Sequence, residues 1–130
     1  MTSPGDPPPA PADSPVDAAV PEVSVDRTGP DGARITVTGE FTAEARRPVI
    51  REVTDLLLGG DPPSRVLLDL HGVTFLNSAG LSTVVQLHRM LEGRGAELEL
   101  LVGTTVVARP LQLSGLWHRF HVRDERPPGS

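Results

Sequence analysis

Ser78 is the residue whose position best suits it to chemistry. It stands in Phe75-Leu76-Asn77-Ser78-Ala79-Gly80-Leu81, where an apolar strand-like run hands over to a helical pattern. A hydroxyl there is displayed at a helix N-terminus, where unpaired N–H groups and the macrodipole favour an anion. The chemistry this suggests is reversible phosphorylation of Ser78. From residue type alone, capping is the simpler reading, because Asn and Ser are among the best N-caps and a cap contributes about 0.5–2 kcal/mol. The two roles are compatible, since a capping serine can also be modified.

Nucleophilic catalysis fits less well. Leu76-Asn77-Ser78-Ala79-Gly80 lacks the first glycine of the G-x-S-x-G elbow. The histidines, His71, His88, His118 and His121, are not placed with an acid as partners for Ser78. His88 falls on an apolar helix face, where a packed core or boundary histidine is the simpler reading. His118 and His121 have metal-ligand chemistry but no evident third ligand. The expectation is no enzyme, no metal site and no cofactor.

The chain has 130 residues, the size of one domain, with a net charge of −5 and no cysteine. Disulfides and thiolate metal sites are excluded. The acidic balance does not mark a nucleic-acid binder. No apolar run is long enough to span a bilayer. The N-terminus has neither the basic nor the apolar segment of a secretory signal. A cytoplasmic protein, monomeric or weakly dimeric, is expected. With three Phe, one Trp and no Tyr, the core must be built from Leu and Val.

The elements that would hold Ser78 follow from periodicity. Residues 1–21 are rich in Pro, Ala and Asp and cannot bury enough apolar surface to offset the entropy of ordering; a disordered tail is expected. Val23 and Val25 alternate with polar residues, as do Ile35 and Val37, around the turn-forming Gly29-Pro30-Asp31-Gly32. This pattern predicts an antiparallel hairpin, with Phe41 also facing inward. Thr42 is placed to cap a helix through Val49, Ile50, Val53, Leu56 and Leu57, with Pro48 expected to separate or kink its first turn. Gly59-Gly60-Asp61-Pro62-Pro63 ends it.

Val66 to Leu70 is nearly continuous in apolar residues, the mark of a strand buried on both faces with helices on either side. His71-Gly72 is expected to turn before Val73 to Leu76 continues. The helix after Ser78 presents Leu81, Val84, Val85, His88 and Leu91 on one face and closes at Gly93-Arg94-Gly95. Glu97 to Val102 is a further strand, and Val106 to Leu113 a further helix containing Pro110. Trp117 to Val122 reads as a short helix or edge strand. The order β-β-α-β-α-β-α predicts a single α/β domain over 22–123. Its mixed four- to five-stranded sheet carries helices packed against it. A polar tail is expected over 124–130.

This arrangement resembles the STAS domain, in particular the bacterial anti-sigma factor antagonists, over about Val23 to Val122. The carrying motif is the stretch around Asn77-Ser78-Ala79-Gly80-Leu81. Thr38-Gly39-Glu40-Phe41 matches a Gly-Glu-apolar turn, and Leu113-Ser114-Gly115-Leu116 a Ser/Thr-Gly-Leu turn. The family usually has Asp where this chain has Asn77, and often Asp where it has Thr42. The resemblance implies that Ser78 is the phosphorylated serine and that both acid positions lie near the kinase contact. It implies binding to an anti-sigma factor that is a GHKL-type serine kinase, which frees a sigma factor for transcription until phosphorylation ends the complex. A serine phosphatase reverses the modification. The implied contact face comprises Gly39, Glu40, Thr42, Asn77, Ser78, Ala79, Gly80, Ser82 and Gln86. The alternative is a non-phosphorylated STAS scaffold or ligand-sensing module.

Overall fold

The computed structural model describes residues 21–128. The proline-rich tail expected over residues 1–21 therefore lies outside the described residues, apart from Pro21. The elements run β1 (Glu22–Arg27), β2 (Gly32–Phe41), α1 (Ala43–Leu58), β3 (Arg65–Leu76), α2 (Ser78–Glu92), β4 (Glu97–Val102), α3 (Thr105–Leu113), a 3-10 turn (Leu116–His118) and β5 (His121–Asp124). The terminal stretch is thus both a short helical turn and an edge strand.

The five strands lie in the order β1-β2-β3-β4-β5. β1 and β2 form the antiparallel hairpin, and every later neighbour is parallel. Right-handed crossovers that always step the same way across a sheet must place every helix on one face. The burial agrees. Ile35, Val37, Val66, Leu68, Leu70, Leu98, Leu100 and Val102 join Val49, Val53, Val84, Leu87, Leu91, Val107 and Leu111 in one cluster. The core is aliphatic apart from Phe41, which is fully buried with Ile35.

Three sequence expectations are corrected. β3 does not have helices on either side. Its second face carries Leu67 and Asp69 beneath Arg34, whose guanidinium donates to Asp69 through Nε (3.1 Å) and Nη2. Arg34 protonation is strengthened above its ordinary range by that hydrogen bond and the Asp69 charge. Where a helix was expected, this face carries the Arg34–Asp69 ion pair and half-buried Leu67. Nor does the chain turn at His71-Gly72. β3 runs through, and the extra residue is absorbed as a bulge opposite Thr36–Thr38.

Pro48 does not separate the first turn either. α1 is continuous, and the carbonyl that loses its donor belongs to exposed Glu44, where water can reach it. Pro110 sits at the same sixth position of α3, opposite exposed Val106. At the far edge, half-buried His88 meets Phe120 edge-to-face, with ring centroids 5.0 Å apart. Trp117 packs against the core and carries the Arg126 guanidinium 5.6 Å from its ring centroid.

Candidate functional site

β2 and β3 run parallel, pair Phe41 with Leu76 at their ends, and each then enters a helix. Two helix N-termini consequently emerge side by side. Thr42 caps α1, its Oγ1 accepting from the Glu44 N–H at a long 3.4 Å. Asn77 caps α2, its Oδ1 accepting from the Gly80 N–H at 3.0 Å. Both caps have extended backbone and neutral side chains, so the positive ends of two helix dipoles face this end of the sheet with no capping carboxylate.

Asn77 takes the cap, and Ser78 follows as the first residue of α2 with its side chain exposed. Gly80 is buried against the end of β2. A Cβ there would collide with the Phe41 carbonyl oxygen and stand 2.6 Å from Leu76 Cδ1. The glycine is therefore needed for internal packing, and the first turn of α2 is pinned to β2. Gly39 has φ of +88° at a second register shift in β2, a bulge geometry that suits glycine. Its neighbour Glu40 pairs with Phe75, which is 47% exposed beside the site.

Ser78, Ser82 and Gln86 follow the i, i+4, i+8 spacing of one helical stripe and line a shallow groove of about 650 Å³. Arg46 borders it from α1, Arg89 from α2, and Ser114 and Leu116 from the segment after α3; Leu81 and Val85 supply apolar surface. Arg46 Nη2 donates to Gln86 Oε1 at 2.7 Å. Among the described residues no histidine lines this groove, and no group of three or more His, Asp or Glu is placed to hold a metal.

The structure thus gathers Ser78, Ser82 and Gln86 on one surface, with Ala79 half-buried beside them. Gly39, Glu40, Thr42 and Asn77 are half-buried at the adjoining strand ends, and Gly80 lies beneath the surface. Sequence reasoning missed Arg46, Arg89, Leu116 and exposed Phe75. One signal was available. Val84, Leu87 and Leu91 fill the core and Leu81 packs against it, so Val85 made the apolar face of α2 wider than the core requires.

Residues 24–122 match the family model described as Mlab, STAS domain. No curated protein matches the sequence. Solved structures share the fold. The anti-sigma factor antagonist from Mycobacterium paratuberculosis superposes with a TM-score of 0.65 at 22% identity, covering 78% of this chain and 84% of that one. SpoIIAA, an anti-sigma factor antagonist in its unphosphorylated form, gives 0.67 at 20% identity over 79% and 87%. The Bacillus cell fate determinant SpoIIAA in its phosphorylated form gives 0.63 at 18% identity over 79% and 90%.

Proposed function

The chain belongs to the STAS domain family, and on that footing we propose that it is an anti-sigma factor antagonist switched by phosphorylation of Ser78. The observation that carries this reading is the division of labour at the start of α2. Asn77 makes the cap, leaving the Ser78 hydroxyl exposed at the head of the groove. In the unmodified state the face formed by Ser78, Ala79, Ser82 and Gln86, with the Gly39–Thr42 strand end beside it, binds an anti-sigma factor that is a GHKL-type serine kinase. Holding that kinase frees a sigma factor, and so regulates transcription in a bacterial cytoplasm. The kinase brings the nucleotide, and this chain acts as ligand and substrate without being an enzyme.

In the switching step Ser78 Oγ bonds to the γ-phosphorus of ATP, the bond to the β-phosphate oxygen breaks, and ADP leaves. The hydroxyl proton passes to a base of the kinase. A phosphate carries about −1.5 to −2 charge at neutral pH. Two helix N-termini tolerate it, so the fold persists. A partner packed on Ser78 instead meets a dianion, and an unpaired charge at an interface costs about 2–5 kcal/mol. Each 1.4 kcal/mol is about tenfold in affinity, so this is ample for release. A serine phosphatase restores the hydroxyl.

A second reading rests on the caps. Neutral Thr42 and Asn77 also suit a STAS module that binds its partner constitutively or senses a small ligand, without modification. One pull-down separates the two, comparing unmodified protein with Ser78→Asp and identifying captured proteins by mass spectrometry. Capture of a GHKL-type kinase by the unmodified protein alone, and a one-phosphate mass increase with ATP that Ser78→Ala abolishes, support the switch. Equal capture by both proteins with no mass increase supports the constitutive module.

A further inference from the structure

We propose that the groove below Ser78 receives an acidic, amphipathic segment of the partner. The inference rests on reading this face as the partner-binding surface and adds the chemistry of what binds there. The groove joins apolar Leu81, Val85 and Leu116 to Arg46 and Arg89, with no Asp or Glu in its lining. A second depression shares Arg46 and Gln86 with it and adds Arg47, Arg51 and Ile50, again without an acid. Arg46, Arg47, Arg51 and Arg89 therefore form a basic strip on a chain whose net charge is −5.

None of these four makes an ion pair among the described residues, whereas Arg27, Arg34, Arg123 and Arg126 all do. Arg46 spends its hydrogen bond on the neutral Gln86 carbonyl oxygen. Fixed positive charge flanking half-exposed aliphatic side chains matches a helix with apolar residues on one face and carboxylates along its borders. Ser78 lies at the end of that strip. A phosphate there places negative charge where the partner's carboxylates would sit, so it also competes for the same arginines.

The test is an NMR titration of the full-length labelled chain with two synthetic amphipathic helical peptides. They share an apolar face and differ in carrying Glu or Lys on its borders. The Glu peptide should shift the amides of Arg46, Leu81, Val85 and Arg89, weaken with added salt, and lose roughly tenfold in affinity on the double substitution Arg46→Glu, Arg89→Glu. Unchanged thermal melting of that variant shows that it remains folded. Equal binding of the Lys peptide, or shifts elsewhere on the surface, overturns the proposal. So does a change in the groove amides when residues 1–20 are deleted, since the groove would then hold the chain's own Asp6, Asp13 or Asp17. Groove shifts by the Glu peptide with no kinase captured in the pull-down would sink the anti-sigma reading and leave this one standing. A captured kinase that binds the charge-reversed variant normally would do the reverse.

Discussion

Ser78, Asn77 and Gly80 sit within one turn and do different work. Ser78→Asp places an acid at a helix N-terminus, where it is favourable by about 0.3–1 kcal/mol. Its melting temperature should hold or rise slightly while kinase binding falls, and a large loss of stability would contradict the separation of fold from switch. Asn77→Ala removes the 3.0 Å cap and should lower the unfolding free energy by about 0.5–2 kcal/mol in a denaturant titration. Gly80→Ala should lose about 1–3 kcal/mol although Ala is the better helix former by roughly 1 kcal/mol, because its methyl meets the fixed Phe41 carbonyl. At the other edge, the hydrogen bond from Arg126 holds the Asp124 carboxyl below its ordinary range. A depressed carboxylate contributes stability above its unfolded pKa and loses it as pH falls through the folded value. NMR titration should therefore show Asp124 protonating at lower pH than an ordinary Asp, and Arg126→Ala should move it back up.

The elements were legible where one physical signal dominated. The hairpin, both caps and the helix-ending glycines were visible in alternation and turn chemistry, and Asn77 and Thr42 do cap as their types suggest. Three features were not. The second face of β3 is sheltered by Arg34, which comes from β2, so no local pattern in Val66–Leu70 could show it. The bulge at His71-Gly72 depends on register against Thr36–Thr38. The helices tolerate Pro48 and Pro110 where the residues four places earlier, Glu44 and Val106, are exposed, a fact of tertiary structure. The site divides the same way. The stripe Ser78, Ser82, Gln86 follows from helical spacing, whereas Arg46 reaches the groove from α1 across a gap of 40 residues to Gln86. Pro48→Ala restores a donor in a helix that already exists and should raise the unfolding free energy by about 1–3 kcal/mol. No gain would mean that Glu44 was better satisfied than its exposure suggests.

The described residues form a two-layer arrangement, with three helices packed on one face of the five-stranded sheet. Among the described residues the opposite face carries the Arg34–Asp69 ion pair where a second helix layer was expected. Removing Arg34 leaves Asp69, only 8% exposed in its side chain, with the His71 N–H at 2.9 Å as its remaining hydrogen-bond partner. Arg34 itself is 42% exposed, so Arg34→Ala should cost about 1–3 kcal/mol, below the roughly 3–5 kcal/mol of a fully buried pair. In a domain of this size that is a fall in melting temperature of about 4–8 °C per kcal/mol. The sequential strand order has a consequence for biogenesis. A ribosome delivers residues from the N-terminus. Here β1 and β2 can pair first, and each later helix-and-strand unit then joins the edge left by its predecessor. No strand has to be threaded between two that are already joined, so the sheet can grow at one edge in the order in which the chain is delivered.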